Sequence, residues 1–168
     1  MDRDGGYKIM IIGIDPGITG AMYFQWKNRF GDTEKETYDM PVMAKTSGKG
    51  NQINPYQLIE IFEACHYREN KYTAYLERVN AMPNQGVSSV FSFGKSAGII
   101  EGVLAALQIP VVMVTPNKWK KKAGLTGKDK DAARTLAIQL YPELSDQLAR
   151  KKDIGRADAI LIAHFGQD

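Results

Sequence analysis

Cysteine is nearly absent: Cys65 is the single thiol in 168 residues, so no disulfide can form within the chain, and a reducing cytoplasmic interior is expected, whether bacterial, phage-infected or organellar. Long apolar runs are missing too. The longest, such as IMIIGI at residues 9–14, fall far short of the ~20 residues that span a bilayer, so no membrane partner is expected. The opening MDRDGGYK has neither the basic start nor the apolar centre of a secretory signal. No low-complexity segment or internal repeat interrupts the chain. A hydrophobic fraction of 43% over this length suffices for one core, and residues 7–168 read as one domain behind a disordered 1–6.

Net charge is small, at +3, but unevenly placed. Residues 118–134, KWKKKAGLTGKDKDAAR, hold seven Lys or Arg against two Asp, which leaves the rest of the chain with a net charge of −2. A basic patch on a nearly neutral body is the electrostatic footprint of phosphate-backbone binding, although a lysine-rich solvated loop has the same composition.

Three strands are expected first, at 8–14, 19–26 and 34–40, joined by the short DPGI and KNRFGDT and therefore antiparallel. MAKTSGKGNQI reads as a mobile loop. Asn54 and Pro55 read as N-cap and first residue of a helix that buries Leu58, Ile61, Phe62 and Cys65. A fourth strand at 72–79 follows that helix and so pairs parallel to an earlier one. Next come a helix with Ile100, Val103, Leu104 and Leu107 inward, the strand IPVVMVTP, and a helix over 128–141 burying Ala133, Leu136, Ala137 and Leu140. The apolar helix GRADAILIAHFG closes the chain. The result is a mixed α/β fold, a five-stranded sheet with three antiparallel strands and then parallel crossovers, flanked by helices.

Within that order the acids stand out. Asp15 and Glu77 end two neighbouring parallel strands, where open α/β sheets place their sites, and Asp158 arrives on the last helix. An unpaired carboxylate at the end of an apolar strand needs compensation, from a metal ion, a hydrogen-bonding turn or a ligand hydroxyl, and with Glu77 and Asp158 at hand a shared divalent cation is expected. With one Cys and two His in the chain, the donors are carboxylate oxygens, which suit hard cations.

GIDPGITGAM, AYLERV, MPNQGVSSVFSFGKSAGIIEGVL, VTPNKWKKKAGLTGKDKDAA and GRADAILIAHFG, in this order across nearly the whole chain, resemble the RuvC-type Holliday junction resolvases, in particular the shorter phage-type members, of the RNase H-like or retroviral-integrase superfamily. The resemblance implies a homodimeric, metal-dependent endonuclease that makes paired symmetric nicks in four-way junction DNA, leaving 5′-phosphate and 3′-hydroxyl ends. It assigns Asp15, Glu77 and Asp158 to two Mg²⁺ ions about 4 Å apart, for which Mn²⁺ substitutes, and it implies no nucleotide cofactor.

The family's fourth metal residue would stand three positions before Asp158, where this chain has Gly155. Asp153 is the nearest acid. In one continuous helix it would lie about 140° around the axis from Asp158, but Gly155 is expected to break the helix and let Asp153 swing back as the fourth metal-binding and catalytic acid, the alternative being an N-cap or a solvent-exposed acid. Lys130 matches a catalytic lysine of the family, and a second is Lys118 or Lys120. Lys121, Lys122 and Lys128 are expected on the DNA backbone, and Trp119 in the core. Longer members carry a phenylalanine where this chain has Asn80. Phe91, Phe93 and Met82 remain as wedges between bases or as core residues. Gly94 and Gly98 mark the helix after Gly86 as the dimer face.

Three other readings stay open. Sugar kinase, actin and Hsp70-type ATPases use a similar DPGIT turn but need a second domain. An RNase H-like nuclease for other branched or RNA-containing substrates, or a non-catalytic binder of DNA structures, would keep the fold.

Overall fold

A computed structural model describes residues 8–28, 30–46, 48–65, 70–78, 80 and 86–167. The expected 1–6 segment and Met82 lie outside the described residues. Strand β1 (Lys8–Asp15) pairs antiparallel with β2 (Ala21–Lys27), and β2 with β3 (Thr33–Asp39). The turn between β1 and β2 is closed by the Gly20 N–H donating to the Gly17 carbonyl at 2.8 Å.

MAKTSGKGNQI departs from the expectation of a mobile loop. It holds a small hairpin, β4 (Val42–Ala44) with β5 (Asn51–Ile53), separate from the main sheet. Three-residue strands in polar, glycine-containing sequence carry too few side chains to show a period of two. Helix α1 (Pro55–Cys65) starts where expected, with Asn54 Oδ1 accepting from the N–H groups of Tyr56 and Gln57 at 3.1 and 3.3 Å.

Strand β6 (Asn70–Glu77) then lies parallel to β1. After helix α2 (Val87–Ala106), strand β7 (Val111–Val114) lies parallel to β6. The sheet order β3-β2-β1-β6-β7 is the mixed five-stranded sheet read from the sequence.

The alternation of each strand divides the core between the two faces. Met10, Ile12, Ile14 and Phe24 pack with Leu58, Phe62, Ile100 and Leu104 of α1 and α2. Each such side chain contributes about 1.5–3 kcal/mol when fully buried. Tyr23 lies on the other face in a cluster with residues of α3 (Pro116–Lys122), α4 (Lys130–Leu140), the 3-10 turn Pro142–Leu148 and α5 (Ile154–Gly166), and a second 3-10 turn, Lys151–Asp153, leads into α5. Helix α3 is an addition to the elements read from the sequence. Leu140, expected inward, is exposed at the end of α4.

Helix α5 crosses directly over β1. A Cβ on Gly13 would fall 2.0 Å from the Ala159 carbonyl oxygen, so only glycine admits the helix this close. The crossing brings Asp158 to the end of β1 where Asp15 stands. Among the described residues no helix is long and apolar enough to cross a membrane.

Candidate active site

Asp15 and Glu77 end adjacent parallel strands, one step past the paired Ile14 and Leu76. The third acid, Asp158, is the fifth residue of α5. Each carboxylate is tied to its surroundings differently. Asp15 Oδ1 accepts a long bond of 3.4 Å from the Gly17 N–H. Glu77 Oε1 accepts from the Trp119 indole N–H at 2.8 Å. Among the described residues no hydrogen bond reaches the Asp158 carboxylate.

Burial, and then the charge of Glu77, push Asp15 up to about 6, against weaker opposition from the Gly17 N–H and Lys120. Burial, and then Asp15, push Asp158 up to about 7, with Glu77 adding to the rise while Lys120 and Lys130 oppose it. Three acids thus lie within electrostatic reach of one another, under-compensated by the two lysines. Among the described residues no three His, Cys, Asp or Glu side chains converge tightly enough to form a ready-made metal cage. The donor set is nonetheless that of a hard cation: half-buried carboxylates, one of them without a hydrogen-bond donor, whose mutual repulsion positive charge would relieve.

Asp15 and Asp158 line a cleft of about 460 Å³ together with Thr19, Trp119, Lys120, Lys128, Lys130, Lys151 and Lys152. Its anionic floor and cationic walls suit a phosphodiester chain. Of the two lysines on α3, the half-buried Lys120 lines the cleft and the exposed Lys118 does not. Lys121 and Lys122 are exposed outside it, and Lys122 Nζ donates to the Gln167 carbonyl at 3.0 Å.

Asp153 is not brought to the other acids. It is 2% exposed, in the turn that leads into α5, and its carboxylate takes the Arg150 backbone N–H at 2.8 Å and the Arg150 guanidinium at 2.7 Å. Burial alone would raise its pKa, but these bonds prevail and hold it below the usual range. Gly155 does not break the helix, since it is the second residue of α5 and buried. A Cβ there would fall 2.6 Å from the Thr19 carbonyl oxygen, so the position is filled by the backbone of the β1–β2 turn.

Phe91 is 72% exposed on α2, outside the cleft. Phe93 is half-buried in a separate groove of about 600 Å³ between α2 and the β4–β5 hairpin, with Lys45, Lys95 and Ile18. The β1–β2 turn contributes Ile18 to this groove and Thr19 to the acidic cleft, so the two depressions flank one turn. Lys151 and Lys152 line the cleft although the sequence does not single them out. Their signal is a short charge run beside Asp153, and only the turn that folds it against α5 sets it at the cleft.

No family model matches the chain. Among solved structures, that of Thermus thermophilus RuvC has a TM-score of 0.51 at 15% identity, covering 92% of this chain and 90% of that one. The structure of T. thermophilus RuvC in complex with Holliday junction substrate has a TM-score of 0.53 at 13% identity, with the same coverage. This chain has the RuvC fold. The resemblance read from the sequence is thereby supported in the architecture, from the antiparallel β1–β2–β3 meander to the crossover strands β6 and β7. A curated relative, the chloroplastic Holliday junction resolvase MOC1 of Chlamydomonas reinhardtii, is 37% identical over 90 residues, 53% of this chain. The chain spans about a tenth of that relative's length, as the match covers 10% of it.

Proposed function

We propose that the protein is a Holliday junction resolvase, a divalent-metal-dependent endonuclease that makes paired symmetric nicks in four-way DNA junctions by hydrolysing phosphodiester bonds. The observation that carries this reading is the mutual electrostatic reach of Asp15, Glu77 and Asp158, from two strand ends and α5, with Asp15 and Asp158 lining a lysine-walled cleft in a RuvC fold. The partial likeness to MOC1 and the structural likeness to RuvC bound to junction DNA support the same substrate.

In this reading Asp15, Glu77 and Asp158 would hold two Mg²⁺ ions, with Mn²⁺ as a substitute. Held there, such cations would supply a water made nucleophilic near neutral pH and positive charge to offset the leaving 3′ oxygen. Lys120 and Lys130 offset charge on the phosphate, a contribution that grows as the transition state develops. Lys128, Lys151 and Lys152 hold the backbone of the strand along the cleft walls. Asp153 acts at a distance from the chemistry, as the brace of the turn that carries Lys151 and Lys152.

Paired nicks need two active sites related by a two-fold axis, so the working form is a homodimer. Helix α2 offers the surface. Val87 and Phe91 are 86% and 72% exposed, and Gly94, Gly98 and Gly102 continue the same stripe with open space around each. Four-residue spacing of small residues lets a second helix approach closely. The domain works in a reducing compartment that holds DNA, consistent with the buried free thiol of Cys65.

The test is cleavage of a labelled four-way junction beside a linear duplex, a fork and an RNA–DNA hybrid, with Mg²⁺ or with EDTA. Symmetric nicks confined to the junction and abolished by EDTA support the proposal. Preferred cutting of the fork or hybrid moves the reading to another RNase H-like nuclease, and tight junction binding without cutting refutes the catalytic role.

A further inference from the structure

Trp119 meets the expectation of a core residue in its packing: its side chain is 0% exposed among the residues between the sheet and α5. A phenylalanine or leucine would meet that need. What distinguishes tryptophan is the indole N–H, a donor that requires a partner when buried. Here that partner is a carboxylate of the site, Glu77 Oε1 at 2.8 Å.

The local chain makes this pairing a consequence of topology. Val114, the last residue of β7, pairs with Glu77 in the parallel ladder, and the Arg78 N–H donates to the Val114 carbonyl at 2.7 Å. Thr115 then caps α3 through its hydroxyl, which accepts the Lys118 N–H at 3.3 Å, and Pro116 starts the helix. One turn on, Trp119 comes back over the end of β6. Its ring also seats the next residue, with Lys120 Nζ 5.2 Å from the ring centroid, and Lys120 is one of the two cations that act on Asp15 or Asp158. A single buried ring therefore holds one acid by its edge and one cation by its face.

We propose that Trp119 is a positioning residue for the metal site: its indole N–H fixes the orientation of the Glu77 carboxylate, leaving Oε2 to face a cation shared with Asp15 and Asp158. This rests on the metal-dependent reading above. A donor that locks a ligating carboxylate lowers the cost of ordering it when metal arrives, and losing such an outer-shell bond typically lowers metal affinity by about 10–100-fold.

The experiment is Mn²⁺ titration of the full chain by calorimetry, without DNA. The wild type is compared with Trp119→Phe and with a chain carrying β-(3-benzothienyl)alanine at 119, which keeps the ring's shape and face but replaces the N–H by sulfur. Both variants are expected to lose about 10-fold or more in Mn²⁺ affinity. The benzothienyl chain should keep the wild-type melting temperature. In a Glu77→Gln background, Trp119→Phe should cause no further loss of Mn²⁺ affinity. Unchanged Mn²⁺ affinity in the benzothienyl chain would overturn the proposal alone, as would a full further loss in the Glu77→Gln background. A wild type that binds no Mn²⁺ would overturn the metal-site reading with it.

Discussion

Gly155 packs against the Thr19 carbonyl so closely that a Cβ would fall 2.6 Å from the oxygen. This packing seats the first turn of α5 on the β1–β2 turn, and so sets Asp158 beside Asp15. Both partners are backbone, so neither can swing aside. Gly155→Ala should destabilise the fold by about 1–3 kcal/mol, the usual range for overpacking, read from urea unfolding. Gly155→Asp should destabilise it at least as much and leave divalent-metal affinity no higher. A stable Gly155→Asp protein with tighter Mn²⁺ binding would contradict this packing.

The under-compensated acids make stability depend on pH in a definite direction. Asp15 at about 6 and Asp158 at about 7 lie above their ordinary 3.8, so between these limits the folded chain holds protons that the unfolded chain releases. Their effect is absent below about pH 4. As pH rises through the window from about 4 to about 7, the metal-free protein loses stability. Asp15→Asn and Asp158→Asn should each stabilise the metal-free protein at pH 8, by about 1–3 kcal/mol, and leave it nearly unchanged at pH 4. Mg²⁺ should raise the wild-type melting temperature more at pH 8 than at pH 5. Calorimetric melting in EDTA across this range is the check, and a mutant-minus-wild-type difference that is flat with pH would contradict it.

Asp153 and Asp158 should separate in a single-turnover cleavage assay. Removing the buried partner of Arg150 costs charge-assisted hydrogen bonds, so Asp153→Ala should lose about 1–3 kcal/mol of stability and, at a temperature where it is folded, keep cleavage within about tenfold. Asp158→Asn should lose cleavage by about 100-fold or more while binding junction normally. Because Arg150 holds Asp153 below its ordinary pKa, the stability it contributes is present above about pH 4 and fades as the solution is acidified further.

This contrast shows what the chain can and cannot reveal. Asp15 and Glu77 are legible because each ends an apolar run that has to be a strand, and strand direction then puts both at one edge of the sheet. Asp158 is legible as an acid early in an otherwise apolar helix. The Asp153–Arg150 pairing is not legible in the chain, because both partners come from the same tight turn and a 3-10 turn has no hydrophobic period to mark it. Trp119 is legible as core, but its bond to Glu77 depends on how far α3 turns back over β6, which composition does not encode. The β4–β5 hairpin is too short to show an alternation.

Lys151 and Lys152, which line the cleft with Lys128 and Lys130, should bind backbone without reading sequence. Replacing both by Ala should weaken junction binding in EDTA and lower the salt slope of log K by ~0.9 for each phosphate left unneutralised. Fluorescence anisotropy at several salt concentrations gives the slope. An unchanged slope would remove the two lysines from the DNA interface.

The most direct measurement uses a supercoiled plasmid that extrudes a cruciform, incubated with wild type or Asp158→Asn in Mg²⁺. Two coordinated nicks by a dimer turn the supercoil into linear product without accumulation of nicked circle, and the Asp158→Asn chain binds but leaves the supercoil intact. A wild type that yields only nicked circle would contradict paired cleavage. Linear product from the Asp158→Asn chain would contradict the role given to the three carboxylates.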